Sequence, residues 1–382
     1  MSRLSKWFFS FFVTVAAAAA AVVSCEEISA ENTGITISGQ SVSSDAGSCT
    51  VSVKASGRWV LSIVYDGDQD GWASLTTTSG RGSKDDILLA YTENTSEESR
   101  SLRVVLTVGN SDFIATFVQR KVKTPATGPG WLELPSIAES DGVEFHSHDM
   151  ALSGYSGRNY SFLYDSNHLV AHWVAYPLNT GLIGSGDRGN DWGYDPDIPQ
   201  ADQPTLFSGF SGSPGFDRGH QLPSADRLTP ASNAQTFYFT NITPQLKNFN
   251  QRIWASFEGR VREWAASSDT MYVVTGCTLD NSIGTAYDNN GREVTVPGAY
   301  FKALLWYNSH STYGSRYVAA GFYLEHRNYS QTALKDMYMS IDELEELTGI
   351  DFFVNLPDKV GTSTAAGIEA QDPADYGGLW GL

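Results

Sequence analysis

Five polar residues between positions 218 and 258 could together act on a phosphate ester. Arg218 and His220 lie two residues apart, and Asn241, Asn250 and Glu258 follow them along the chain. A histidine can deprotonate a water molecule, and an arginine can hold phosphate oxygens and stabilise the charge of a transition state. An asparagine oxygen suits Mg²⁺, which prefers oxygen ligands and keeps most of its waters. This combination favours metal-assisted cleavage of a phosphodiester, in which the ion clamps the scissile phosphate.

The predicted secondary structure groups these side chains. Residues two apart in a strand share a face, so Arg218 and His220 are expected to point into one cleft. A helix is predicted over residues 250–264, because four apolar residues repeat there at helical spacing. They are Ile253, Phe257, Val261 and Trp264. Asn250 and Glu258 therefore belong to one predicted helix.

The order of the motifs resembles that of a known family. Asp217-Arg218-Gly219-His220 is followed by TNITPQ at residues 240–245 and by NFNQRIWASFE at residues 248–258. This succession is similar to that of the DNA/RNA non-specific endonuclease family, the sugar-non-specific nucleases with the ββα-metal fold. Further similar segments are residues 158–161, 173–176, 275–276, 296–302 and 356–358. The resemblance covers about residues 130–365.

The resemblance implies a mechanism with a residue for each part. His220 would activate a water for in-line attack on phosphorus, while Arg218 and an upstream arginine, best matched by Arg188, would hold the phosphate. Asn250 would be the sole direct protein ligand of Mg²⁺, for which Mn²⁺ could substitute. Asn241 would orient the base or the substrate, with a turn-capping asparagine as the alternative. DNA and RNA would both be cleaved, because such a site contacts phosphate rather than base edges. The products would carry 5′-phosphates.

Helix geometry separates the roles of Asn250 and Glu258. Eight residues at a rise of 1.5 Å place them about 12 Å apart along an α-helix. Two side chains at that distance cannot easily ligate one ion, so Glu258 is predicted to act through a metal-bound water. The alternative for Glu258 is a solvated carboxylate on the helix surface.

The first 24 residues have the layout of a lipoprotein signal peptide. Arg3 and Lys6 precede an apolar stretch over residues 7–23, and Cys25 follows a small residue. This ending resembles a bacterial lipobox, in which Cys25 becomes the lipidated first residue of the mature protein. The alternatives are an ordinary secretory signal and an uncleaved anchor. A lipid on Cys25 would anchor the protein to the outer membrane of the cell envelope, facing the surface or the periplasm.

Two domains are predicted after the signal peptide. Residues 28–121 contain short alternating strands separated by turns, which indicates an all-β, immunoglobulin-like sandwich. Residues 122–130 hold two prolines and two glycines and are predicted to be a linker. Residues 131–382 alternate strands and helices, which indicates the α+β class, and the resemblance implies a ββα-metal nuclease domain with a mixed central sheet. Its strands are predicted at 172–178, 237–240, 271–275 and 300–307, with a capped helix at 340–349.

The first domain also resembles a module found in surface proteins. Trp72, the turn SGRGS, Arg100 and a closing Gln119 follow the order of a BACON domain. That resemblance implies carbohydrate as a partner of this domain. Trp59 and Trp72 could stack on sugars, although a buried core position is favoured for each.

The charge of the chain restricts how it could hold nucleic acid. The formal net charge is −18, which argues against a broad electrostatic grip on phosphates. A local basic groove is therefore predicted, to which Arg218 and Arg252 could contribute. Arg260 and Arg262 are favoured as scattered surface charges.

A second function competes with cleavage of nucleic acid. The chain could be a surface lipoprotein that binds glycan or mucin and carries an inactive nuclease domain. All five residues of the core motif are present, which counts against loss of activity.

Overall fold

The computed structural model describes residues 33–381 apart from positions 39–40, 43, 45, 68, 97, 121–128, 153 and 330–333. The predicted signal peptide, Cys25 and most of the predicted linker lie outside the described residues. Of the helices that the structure describes, none is long and apolar enough to cross a membrane.

The described residues before position 121 form two β-sheets. Their strands are β1 (Gly34–Ile37), β2 (Ser41–Val42), β3 (Gly47–Lys54), β4 (Arg58–Tyr65), β5 (Ala73–Leu75), β6 (Ser79–Arg81), β7 (Lys84–Tyr91), β8 (Arg100–Val108) and β9 (Ser111–Gln119). One sheet has the order β1-β3-β7-β5 and the other has the order β2-β9-β8-β4-β6. Strand alternation builds the core between them: Leu102, Val104 and Leu106 of β8 are fully buried. The region is all-β, as predicted.

The core of this sandwich contains both tryptophans that were candidates for sugar stacking. Trp59 and Trp72 expose only 2% and 5% of their surfaces. Trp59 donates a hydrogen bond from Nε1 to the carbonyl oxygen of Gly82 at 2.7 Å, and the Arg100 guanidinium lies 4.3 Å from the centre of the Trp72 ring. Neither ring is free to stack on a sugar, so the favoured core position is correct for both.

The second domain is built on a seven-stranded sheet. Its strands and those of two smaller sheets are β10 (Val143–Leu152), β11 (Tyr155–Asp165), β12 (Val170–Leu178), β13 (Phe216–His220), β14 (Ile242–Leu246), β15 (Thr270–Thr278), β16 (Gly284–Tyr287), β17 (Glu293–Val296), β18 (Ala299–Tyr307), β19 (Tyr317–Glu325) and β20 (Tyr338–Met339). The large sheet has the order β10-β11-β12-β15-β18-β19-β20. Its neighbouring strands all pair antiparallel. The predicted mixture of strand directions is therefore corrected, because most neighbours follow one another along the chain and antiparallel pairing suits such connections.

Helices cover both faces of this sheet, which agrees with the predicted α+β class. They are α1 (Thr180–Ile183), α2 (Pro230–Gln235), α3 (Ala255–Ala266), α4 (Ile341–Thr348), α5 (Leu356–Val360), α6 (Thr362–Ala370) and α7 (Gly377–Trp380). On one face, Phe257 and Trp264 of α3 pack against Phe322 of β19. On the other face, Ile341 and Leu344 of α4 are fully buried.

Two predicted elements differ from the structure near the motif. Phe249–Trp254 form a π-helix that runs into α3, and the backbone N–H of Ala255 reaches the carbonyl oxygen of Asn250, five residues earlier. The predicted α-helix therefore starts with a wider turn. Residues 237–240 are not a strand, because the chain turns through a 3₁₀ helix (Phe239–Asn241) before β14 begins. Their apolar pattern reflects the full burial of Phe237 and Phe239.

Candidate active site

A cavity of about 340 Å³ has walls from β13, the π turn and α3. It is lined by Arg188, Arg218, His220, Pro223, Ser224, Ala225, Asn250, Gln251, Ala255 and Glu258. Five of the six predicted site residues therefore meet in one place. The sixth, Asn241, is not part of the wall, and neither is Arg252.

Strand β13 presents Arg218 and His220 to this cavity. It pairs antiparallel with β14 over its whole length, which holds the motif extended. Residues two apart share a strand face, and both side chains reach the cavity, as predicted. Gly219 between them leaves no room for a side chain, since a Cβ there would lie 2.2 Å from Cδ of Gln245.

The imidazole of His220 is kept neutral by its surroundings. Its Nε2 is buried and has no hydrogen-bond partner among the residues that the structure describes. The ring lies 5.3 Å from that of Trp192 and 5.1 Å from that of Phe237. Burial, together with the charges of Arg188 and Arg218, lowers the pKa of His220 to about 3. A neutral imidazole, which has one ring nitrogen free to accept a proton, is therefore present at physiological pH.

Both arginines of the cavity are held against aromatic rings. The Arg218 guanidinium lies 3.7 Å from the centre of the Trp192 ring. Its Nη1 donates to the carbonyl oxygens of Leu206 at 2.9 Å and Phe207 at 3.1 Å. These contacts fix the side chain, and among the described residues no hydrogen bond engages its Nε or Nη2. Arg188 is exposed, with its guanidinium 5.4 Å from the centre of the Phe237 ring.

The side chain of Asn250 is oriented by the first residue of the motif. Its Nδ2 donates to Oδ2 of Asp217 at 3.1 Å, and Nε2 of Gln251 donates to the same oxygen at 2.8 Å. Because the amide nitrogen is engaged, Oδ1 of Asn250 is the atom left for a cation. Asp217 therefore serves to position the predicted metal ligand.

Glu258 lines the same cavity and interacts with a buried lysine. Burial raises the pKa of Glu258, and the charge of Lys302 acts in the opposite direction. Lys302, on β18, is fully buried and donates to Oγ1 of Thr275 at 3.0 Å. Its Nζ lies 4.6 Å from the centre of the Trp254 ring, one turn before Glu258. The alternative of a solvated Glu258 is therefore wrong, because the residue is half-buried and its carboxylate interacts electrostatically with the buried Lys302.

Comparison with known proteins identifies the family to which this chain belongs. The model of the DNA/RNA non-specific endonuclease family matches residues 147–359, more than half of the chain. The chain belongs to this family. It is a nuclease, and every residue that lines the cavity falls within the matched region.

Relatives of this nuclease include proteins of bacteria and of animals. A nuclease of Nostoc sp. is 32% identical over 218 residues, which is 55% of this chain and 76% of that protein. A nuclease of Serratia marcescens is 30% identical over 208 residues, or 53% of this chain and 76% of that protein. Mitochondrial endonuclease G of Bos taurus is 28% identical over 227 residues, which is 55% of this chain and 72% of that protein.

Asn241 of the nuclease forms hydrogen bonds with the backbone next to the cavity. It is buried, and its Oδ1 accepts a hydrogen bond from the backbone N–H of Leu222 at 2.8 Å. Its Nδ2 donates to the carbonyl oxygens of Leu222 at 3.0 Å and Thr236 at 2.8 Å. These bonds fix the chain just after His220. Of the two predicted roles, the structural one therefore describes its contacts best.

One arginine predicted to be a surface charge has a buried partner. Arg262 donates from Nη1 to Oδ1 of Asp226 at 2.8 Å, and Asp226 is only 1% exposed. The hydroxyl of Tyr176 donates to the other oxygen of Asp226 at 2.9 Å. The prediction is wrong for Arg262. It is correct for Arg260, which forms an exposed pair with Glu263.

The structure also contains a second group of metal-ligand types, which the sequence did not reveal. Nε2 of His148 lies 2.8 Å from Oδ2 of Asp195, and its Nδ1 lies 3.3 Å from Oδ2 of Asp197. The Thr240 hydroxyl donates to the same oxygen of Asp195 at 2.7 Å. Both ring nitrogens of His148 already have carboxylate partners, and we call His148, Asp195 and Asp197 together the His148 clamp. His146, two residues before His148, instead stacks on Phe162.

Proposed function

We propose that this nuclease is a Mg²⁺-dependent endonuclease that hydrolyses phosphodiester bonds of DNA and RNA. The proposal is carried by one observation: a neutral histidine, two arginines, an asparagine and a glutamate meet at one cavity. They are His220, Arg188, Arg218, Asn250 and Glu258. This set supplies a base, two phosphate-binding cations and oxygen ligands for a metal.

His220 accepts the proton of the attacking water. Its free-enzyme pKa is low because of burial and the nearby charges of Arg188 and Arg218. A bound phosphate offsets those two charges, so the imidazole becomes a stronger base when the substrate is present. The arginines also stabilise the extra negative charge that develops on the phosphate oxygens in the transition state.

The residues present fit a hard divalent cation such as Mg²⁺, with Mn²⁺ as a substitute. Oδ1 of Asn250 is an oxygen donor positioned by Asp217. When bound, the ion would stabilise the leaving 3′-oxygen and acidify its bound waters. Glu258 would hold one of those waters, and a nearby cation favours the ionised form of its carboxyl group.

The chemistry of the site implies broad substrate use. Its charged groups suit phosphate oxygens, which are common to DNA and RNA and carry no sequence information. Attack by water with loss of the 3′-oxygen gives 5′-phosphate and 3′-hydroxyl ends. The protein has a net charge of −18, so this cavity is a local basic site on an acidic protein. Binding of nucleic acid should weaken as the salt concentration rises, because contacts with phosphate release counterions.

We also propose that the nuclease is lipid-anchored through Cys25 at the outer membrane of the cell envelope, behind a BACON-like domain. This rests on the sequence alone. A Cys25→Ser variant should move from the membrane fraction to the soluble fraction. Equal membrane association of the two proteins would contradict the lipid anchor. Any carbohydrate contact of the first domain must use residues other than Trp59 and Trp72, which are buried.

The metal assignment is tested by titrating Mg²⁺ in a cleavage assay with the full-length protein and matched variants. Asn250→Ala should abolish the response to Mg²⁺. Asp217→Ala should raise the required concentration by roughly 10- to 100-fold, as expected for a residue that orients a ligand. Asp197→Ala is the control, because this aspartate belongs to the His148 clamp. A shift in Asp197→Ala with none in Asn250→Ala would place the ion at the clamp instead.

A further inference from the structure

A large aromatic side chain stands exposed beside the phosphate-binding side of the cavity. Phe207 exposes 54% of its surface, whereas aromatic residues such as Phe239 and Phe237 are fully buried. It lies in the loop that precedes β13. A single exposed apolar side chain is ordinary on a protein surface, so it is the contact of the Phe207 backbone with Arg218 that makes a ligand for this ring worth seeking.

The loop that carries Phe207 is tightly held. The backbone N–H of Ser208 donates to Oδ1 of Asn289 at 2.8 Å, and Nδ2 of Asn289 donates to the carbonyl oxygen of Gly209 at 2.8 Å. The N–H of Thr205 donates to Oδ2 of Asp288 at 3.0 Å. Bonds on both sides of Phe207 therefore fix its backbone before any ligand arrives.

The ring itself is also supported. It meets Tyr194 at a centroid distance of 5.7 Å and an interplanar angle of 87°, and Phe239 at 5.0 Å and 83°. Two near-perpendicular neighbours hold the ring on one side while more than half of the residue remains open to solvent. Little conformational entropy remains to be lost when a flat ligand packs on it.

Phe207 is directly linked to the arginine that faces the scissile phosphate. Nη1 of Arg218 donates to the carbonyl oxygen of Phe207 at 3.1 Å, and Arg218 lines the cavity with His220. The backbone of Phe207 therefore lies beside the group proposed to hold phosphate, and a base adjoining that phosphate would be within reach of the Phe207 ring.

We propose that Phe207 is a stacking subsite for an unpaired nucleobase next to the scissile phosphate. The inference rests on the proposed nuclease function and adds a specificity to it. A base within a duplex is covered on both faces by its neighbours, so it must leave the stack before it can pack on Phe207. Single-stranded DNA, RNA loops and locally opened duplexes are therefore the preferred substrates.

The test compares three substrates of equal length: oligothymidylate, the same backbone without bases, and a DNA duplex. Phe207→Ala is expected to raise KM for oligothymidylate by about 5- to 150-fold, the range for loss of one base–aromatic stack. The other two substrates should change little. Phe207→Trp should retain the preference for oligothymidylate. Leu347→Ala is the matched control, because Leu347 is also 54% exposed but belongs to α4, which packs on the sheet face opposite α3.

The outcomes separate this inference from the function beneath it. An unchanged KM for oligothymidylate in Phe207→Ala would overturn the stacking subsite. An equal loss on all three substrates would also overturn it, because it would show a general structural defect. A wild-type protein that cleaves none of the substrates would instead contradict the nuclease function itself.

Discussion

Replacing Gly219 by alanine should displace β13, which carries Arg218 and His220, without unfolding the protein. The new Cβ would lie 2.2 Å from Cδ and 2.4 Å from Cγ of Gln245, a side chain that is fully buried. Restoring an ordinary contact of 3.4 Å requires a movement of about 1.2 Å. Overpacking of this kind costs roughly 1–3 kcal/mol of stability. A displacement near 1 Å at His220 or Arg218 can reduce catalysis by about 100-fold.

The assay combines thermal unfolding with kcat on single-stranded DNA. Gly219→Ala should unfold at a lower temperature and lose about two orders of magnitude in kcat. Adding Gln245→Ala removes the obstructing atoms, so the double variant should recover activity relative to Gly219→Ala. Gly367→Ala is the control, because a Cβ at that position of α6 meets no atom within 4 Å. Full activity in Gly219→Ala, or a double variant no better than the single one, would refute the reasoning.

Three further predictions concern charge. The pH profile of kcat/KM should show no ionisation of His220 near pH 6.5, because its neutral form persists down to about pH 3. An NMR titration that places the pKa of His220 near 6.5 would contradict this. The fall of kcat/KM at acid pH should instead follow the protonation of Glu258. Lys302→Met should move this fall to higher pH, because the lysine charge favours the ionised carboxylate. An unchanged profile in Lys302→Met would assign the fall to another group. Arg120→Ala should destabilise the protein to chemical denaturation by about 3–5 kcal/mol, since Arg120 joins the end of β9 to the buried Glu369 of α6. Arg103→Ala, which breaks an exposed pair, should cost under about 1 kcal/mol, and equal costs would sink the argument.

Short-range patterns in the sequence predicted much of the scaffold. Alternation of apolar residues located strands in both domains but wrongly included residues 237–240. Ser340, Glu343 and Gly349 marked the limits of α4. The structure shows the full capping box at Ser340 and a left-handed Gly349 with φ of 69°. The spacing of Arg218 and His220 likewise predicted their common face. These signals are local, so the sequence displays them directly.

Other features of the site depend on contacts between distant segments. Lys302 lies within an apolar strand, and no residue near it in the sequence predicts its electrostatic interaction with Glu258. His148 forms a hydrogen bond with Asp195, which lies 47 positions away in the sequence. The π turn at Asn250 has the same apolar repeat as an α-helix, so periodicity could not distinguish them. Such features arise from tertiary packing, which a single sequence does not show.

The most direct test of the account is cleavage of supercoiled plasmid and of RNA by the full-length protein in Mg²⁺. EDTA, a His220→Ala variant and an exposed-histidine control, His310→Ala, are run beside the wild type. We expect the wild type and the control to cleave both substrates to 5′-phosphate ends. EDTA and His220→Ala should each abolish cleavage. A well-folded wild type that cleaves neither substrate, or a His220→Ala variant that cleaves as fast as the wild type, would contradict it.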